Sequence, residues 1–173
     1  IAPQFLVTTG EDRFVKLWEI GRRNEVPTNE RINNFGYMGQ IDMGYTKVQT
    51  VAAFPNGYRV VFGADDGRVY IWDTMRTMTP PKLGTLNEPV IKLIYGESGE
   101  RLVALTQSGA TLFNVRTGKQ EGFTEVSYGR DMVSYKNKET VFIASNAGVI
   151  GWNLQTGARN PVPAVVSVHG PVA

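Results

Sequence analysis

The chain has no cysteine and only one histidine among its 173 residues. Without cysteine, disulfides and thiolate chemistry are both excluded. A zinc centre draws several ligands from histidine and cysteine, and a hydrolytic triad needs a nucleophile and an orienting acid around its histidine. Neither can be assembled on His169 alone. Charge of one sign is also scarce, because 18 basic residues face 16 acidic ones, for a net +2. Nucleic-acid phosphates call for a concentrated basic face. The one basic pair, Arg22-Arg23, is diluted by Glu19, Glu25 and Glu30. Long apolar runs are missing too. Stretches such as Thr140 to Ala144 fall far short of the roughly 20 residues that cross a bilayer as a helix, so no membrane insertion is expected. No helical periodicity persists over ten residues. The chain begins at Ile1 rather than methionine and is expected to be an excerpt or a processed end, with any targeting signal out of view.

What is present is globular and turn-rich. Hydrophobic residues make up 42% and charged residues 20%, and 19 glycines and nine prolines suit an all-β chain. Four segments align as repeats: VTTGEDRFVKLW (Val7 to Trp18), VFGADDGRVYIWD (Val61 to Asp73), ALTQSGATLFNVRTGK (Ala104 to Lys119) and IASNAGVIGWNLQTGA (Ile143 to Ala158). Each reads as an apolar strand, a tight polar turn and a second strand ending in an aromatic residue. The aromatics Trp18, Trp72, Phe113 and Trp152 are spaced by 54, 41 and 39 residues. The last two intervals match a four-stranded repeat of roughly 40–45 residues. The first is lengthened by a polar insertion at 21–30 that contains Pro27 and shows no strand alternation.

Ahead of each later segment lies a further hairpin: Val48 to Phe54 with Tyr58 to Phe62, Val90 to Tyr95 with Arg101 to Leu105, and Met132 to Tyr135 with Thr140 to Ala144. Each unit therefore reads as four strands in succession. Asp65-Asp66-Gly67 and Asn146-Ala147-Gly148 form the turns between the second and third strands, where Asx side chains bond back to the backbone and glycine supplies positive φ. A β-sandwich would also show short strands and regular turns, but it does not place an aromatic at the same point of every fourth strand.

Trp72-Asp73, with Trp18-Glu19, Phe113-Asn114 and Trp152-Asn153 as variants, and the turns Thr117-Gly118 and Thr156-Gly157 resemble the WD-repeat family. The resemblance implies an all-β fold, a β-propeller of WD-repeat type. About four four-stranded blades are present, as part of a larger disc of about seven. On this reading residues 1–38 form a partial blade of second to fourth strands, with the inserted loop 21–30. Blades follow at 39–86, 87–126 and 127–168, and 169–173 opens another. Family blades carry a tetrad of Trp, Ser or Thr, His and Asp. Asp12 and Asp66 match its Asp position, six residues before each Trp. The Gly-His pair that opens a family repeat is absent ahead of the second, third and fourth units; His169-Gly170 is its nearest counterpart. These are divergent blades.

The candidate chemistry is sparse. The aromatic row is expected to be inter-blade core, because burying a tryptophan removes about 150–250 Å² from water. Asp12, Asp65 and Asp66 are expected to serve turns, since catalysis needs two groups converging on one substrate and Ca²⁺ needs 6–8 oxygens. No catalytic residue, cofactor or metal is assigned. Arg22, Arg23 and Arg31, followed by Tyr37 and Tyr45, are the candidate recognition residues, because loops on rigid scaffolds carry binding and Tyr and Arg favour interfaces.

The resemblance implies a non-catalytic scaffold that binds proteins in a multi-protein assembly inside the cell, in the cytoplasm. Cytoskeletal or ciliary, coat, ribosome-maturation and ubiquitin-ligase assemblies are not distinguished. A glycan- or nucleic-acid-binding propeller, or part of a propeller enzyme with its site elsewhere, are the rivals. Because each blade covers its neighbours, this segment alone is expected to be marginally stable or to self-associate through its end units.

Overall fold

In the computed structural model, which describes residues 4–20, 35–54, 58–74, 80–96, 98–135 and 139–162, every regular element is a β-strand. The first sheet holds β1 (Gln4–Thr9), β2 (Phe14–Ile20) and β3 (Phe35–Asp42). The second holds β4 (Val48–Ala53), β5 (Arg59–Ala64), β6 (Arg68–Asp73) and β7 (Lys82–Thr85). The third holds β8 (Lys92–Tyr95), β9 (Arg101–Leu105), β10 (Gly109–Asn114) and β11 (Gln120–Glu125). The fourth holds β12 (Gly129–Tyr135), β13 (Thr140–Ser145), β14 (Gly148–Asn153) and β15 (Arg159–Val162). Each sheet is an antiparallel meander in chain order.

The sheets stand side by side around their first strands, with β4 packed on β8 and β8 on β12. The first sheet has three strands. Its β1 packs on β4 as β5 packs on β8 and β9 on β12, so β1 holds the place of a second strand. Strand β3 pairs with β2 from Ile20↔Phe35 to Phe14↔Asp42, with one register shift between Leu17 and Trp18. The expected boundary between residues 38 and 39 therefore falls inside a strand. The strand runs on to Asp42, because its pairing with β2 resumes after the shift and extends to Phe14.

The four aromatics are equivalent by register. Trp18, Trp72, Phe113 and Trp152 sit opposite Leu6, Val60, Leu102 and Val141 of the preceding strand. Each of the last three packs onto the sheet before it. Trp72 joins Val15, Leu17 and Ile41 of the first sheet. Phe113 joins Val61, Val69 and Leu83 of the second, and Trp152 joins Val103, Leu105 and Leu112 of the third. Glycine makes room for two of these rings. A Cβ on Gly84 would lie 2.6 Å from the Phe113 ring, and one on Gly122 would lie 3.4 Å from the Trp152 ring.

Burial patterns follow from this stacking. Strands β5, β9 and β10 lie between two neighbours and are buried almost throughout. In β2 and β13, on the first and fourth sheets, buried and half-buried positions alternate because one face only is covered. Trp18 accordingly is only half-buried, short of the burial expected for it from its place in the repeat. Its face is the one a preceding sheet would cover.

The expected turn chemistry is in place. Asp12 and Asp66 accept hydrogen bonds from the N–H groups of Phe14 and Arg68, at 3.3 and 3.0 Å. Gly67 has φ +80°, and a Cβ there would lie 2.2 Å from the Leu86 carbonyl oxygen. Asn114 and Asn153, at the second position of the family dipeptide, cap matching turns. Each side-chain oxygen accepts from two successive backbone N–H groups, of Arg116 and Thr117 and of Gln155 and Thr156, at 2.9–3.1 Å. In the first sheet the Trp18 indole donates to Thr8 Oγ1 at 2.9 Å.

Trp72 is 2% exposed, and Trp72→Ala is expected to cost about 3–5 kcal/mol in urea denaturation. Trp18→Ala is expected to cost clearly less, because part of its surface is already in water. Equal losses would contradict this account of the stacking.

Candidate functional site

The loops that lead into the second, third and fourth sheets are each tied to that sheet's own turn between second and third strands. For the second sheet the loop is Met43 to Lys47. Asp42 Oδ1 accepts from the Gly44 N–H at 2.8 Å, Asp65 Oδ1 accepts from the Lys47 N–H at 3.0 Å, and Thr46 donates to Asp66 Oδ2 at 3.3 Å. The Met43 N–H also donates to the Arg13 carbonyl at 3.0 Å, which pins the loop to the first sheet. For the third sheet, Glu88 accepts from the Ser108 N–H at 2.8 Å. For the fourth, the Asn146 N–H donates to the Ser127 carbonyl at 3.1 Å, and Arg130 Nε donates to Asn146 Oδ1 at 2.8 Å. The result is a polar rim at one end of the sheets whose backbone is held by hydrogen bonds.

Two tyrosines project from this rim. Tyr45, at the apex of the first loop, is 92% exposed, and the Arg13 guanidinium lies 5.4 Å from its ring centroid. Tyr128, in the loop before β12, is also exposed. Arg13 and Tyr128 both hold left-handed backbone conformations, with φ of 66° and 55°. Such conformations are uncommon for side chains with a Cβ and are kept only where the surrounding bonds dictate them.

The expected recognition residues are therefore divided. Tyr45 is on the rim. Tyr37 is on the open face of the first sheet, edge-on to Trp18 at 5.5 Å. Arg22, Arg23 and Arg31 lie outside the described residues, as does His169. Arg13 escaped the sequence reading because nothing in its neighbourhood marks it; only the fold carries it to Tyr45. The three turn aspartates do not converge. Asp12 pairs with Lys16, Asp65 with the Lys47 backbone, and Asp66 with Arg68 and Thr46. Among the described residues no group of three or more His, Asp or Glu side chains is placed to hold a metal ion.

The electrostatics serve structure. Hydrogen bonding from Lys92 across the third and fourth sheets, at 2.6 Å, holds the Asp131 carboxyl below its usual range. The Ser108 N–H does the same for Glu88, and Lys16 for Asp12. Burial pushes the Tyr95 hydroxyl up and keeps it neutral. At the opposite end, a cleft of about 640 Å³ spans the third and fourth sheets. Its guanidinium is already engaged, since Arg101 lies 3.4 Å from Glu121 and donates to the Leu154 carbonyl at 3.2 Å.

Meandering sheets stacked through third-strand aromatics define a class, the β-propeller, of which this chain forms an open segment. Residues 40–73 match the family described as WD domain, G-beta repeat, which supports a WD-repeat type for this all-β fold. Among solved structures the chain is similar to the computationally designed Ika8 protein, with a TM-score of 0.70 at 19% identity, a likeness of fold. The match covers 92% of this chain and 46% of that one, so the chain spans about half of its length. No curated protein matches it.

The lowered carboxyls give the sign of the acid response. A carboxyl whose folded value lies below its unfolded one stabilises the fold above the unfolded value, and that contribution is lost as pH falls through the folded value. Stability should therefore decline below about pH 4.5, the ordinary glutamate value, as Glu88 and Asp131 take up protons. Urea midpoints measured from roughly pH 6 to 3 check this. Glu88→Gln and Asp131→Asn should each flatten the acid limb, and an unchanged limb would remove these carboxylates from the account.

Proposed function

We propose that the chain is a non-catalytic scaffold that docks other proteins on its loop rim, as a subunit of a multi-protein assembly in the cytoplasm. The observation that carries this reading is the Tyr45–Arg13 pair. A tyrosine 92% exposed on a loop anchored at both ends contributes little to the core. It is the kind of rigid aromatic, with an arginine stacked on it, that dominates protein interfaces. Pre-anchoring lowers the ordering cost of binding. The match of residues 40–73 to a repeat family used for protein binding supports the same reading. The polar groups nearby are committed to turn and loop bonds, which suits display of a surface better than bond-making chemistry.

Tyr45→Ala and Arg13→Ala are expected to leave the melting temperature nearly unchanged, as exposed substitutions usually do. Each should weaken capture of a protein partner at least tenfold, measured by quantitative affinity purification and repeated with the purified partner. Unaltered capture by both variants would move the docking surface away from this rim. Specific retention of RNA or a glycan on arrays, lost in the same variants, would replace a protein by that ligand.

A further inference from the structure

Three of the rim carboxylates have a cation beside them: Asp12 pairs with Lys16, Asp66 with Arg68 and Asp131 with Lys92. Glu88 has none among the described residues. It is half-buried in the loop that leads into the third sheet, and it accepts from a neutral donor, the Ser108 N–H, at 2.8 Å. Lys92 and Arg130, the cations of β8 and β12, are committed to Asp131 and Asn146. A carboxylate partly withdrawn from water and held by neutral groups keeps its full negative charge, and that charge is costly until a cation meets it.

Glu88 lines a hollow of about 280 Å³ with Gln107, Ser108, Val126, Ser127 and Tyr128. Its walls are pinned. Leu86 and Val90, on either side of Glu88, donate from their N–H groups to the Gly67 and Ala64 carbonyls at 2.8 and 3.0 Å. The N–H groups of Val126 and Gly129 donate to the Ser108 and Gln107 carbonyls at 2.9 and 2.8 Å. A Cβ on Gly129 would lie 2.6 Å from the Thr106 carbonyl oxygen, so the loop lies close against this turn. Tyr128 is held there at φ 55°, where glycine or asparagine is the relaxed choice, yet its ring is 58% exposed. An uncommon backbone conformation that carries an exposed aromatic beside a hollow marks a binding position. These walls are loops of the third sheet, which has a neighbour on each side, so the hollow does not arise from where the arc ends.

We propose that this hollow is a socket for a lysine or arginine side chain of the protein docked on the rim, with the Glu88 carboxylate taking the cationic head and Val126 and Tyr128 lining its stem. The proposal rests on the docking reading above only for the source of the cation. The volume lies below the roughly 300–1,000 Å³ of small-molecule pockets and suits one side chain. A long cationic side chain has an apolar stem to lay on the buried Val126, and its charge is attracted by an aromatic face. The complementarity is therefore of charge at one end of the side chain and of apolar surface along the rest.

The probes are butylguanidinium and butylammonium chloride, with neutral butylurea for comparison, titrated into the full chain at constant ionic strength and followed by amide chemical shifts. One or both cations should shift the Ser108, Ser127 and Tyr128 amides saturably, and butylurea should not. The tighter cation distinguishes arginine from lysine. Glu88→Gln keeps an acceptor for the Ser108 N–H and removes the charge, so it should weaken binding by about tenfold or more. Tyr128→Asn suits the left-handed backbone, removes the ring and should weaken binding too. Circular dichroism melts confirm that the variants fold, and Tyr128→Asn carries the test if Glu88→Gln does not. Tyr45→Ala, outside the hollow, should change nothing. Absence of saturation, equal shifts with butylurea, unchanged affinity in the folded socket variants, or a loss in Tyr45→Ala would overturn the proposal. Cation binding that persists while Tyr45→Ala and Arg13→Ala leave protein capture unaltered would remove the docking reading and leave the socket standing. Weakened capture in those two variants with no cation binding would do the reverse.

Discussion

Everything in this structure depends on the contact between an aromatic ring at the end of a third strand and the sheet in front of it. A four-stranded meander has two faces and cannot bury both by itself. The ring of Trp72, Phe113 or Trp152 reaches across to the preceding sheet and fixes its distance and angle. One such tryptophan removes enough apolar surface to contribute about 4–6 kcal/mol before entropy is counted. Gly84 shows the same constraint from the receiving side, since a side chain there would press on the Phe113 ring it accommodates. Stability is then a sum over neighbours, and a sheet with one neighbour is worth less than a sheet with two.

The polar network divides its labour by location. At the rim, side chains such as Asp42, Asp65 and Glu88 hold loop backbone in place. Between sheets, Lys92–Asp131 and Arg101 with the Leu154 carbonyl tie the third unit to the fourth. Exposed ion pairs of this kind add little energy singly. Their effect is geometric, because they fix where each loop sits over its sheet. A surface made of short, bonded loops can display Tyr45 and Tyr128 in a constant arrangement.

The two ends of the arc and its interior obey one rule with different outcomes. Inside, apolar positions on both faces of β5 and β9 are covered. At the ends the same composition recurs in β1 and β13, with one face covered.

Much of this could be read from the residues alone. The spacing of Trp18, Trp72, Phe113 and Trp152 revealed the repeat, and Asp66-Gly67, Thr117-Gly118 and Thr156-Gly157 revealed the turns. These are local signals: turn chemistry and strand alternation act within a few residues and leave their mark in sequence. Tertiary structure alone decided the rest. It left Trp18 partly exposed while its three equivalents are buried, because burial depends on a neighbour and not on the residue. It carried β3 through to Asp42 because ladder hydrogen bonds extend as far as the partner strand does. It separated Tyr37 from Tyr45, placing one on a sheet face and the other on the rim, and it set Arg13 against Tyr45 across 32 positions of sequence. Contacts between residues distant in the chain depend on how sheets are stacked, and no local pattern encodes that distance.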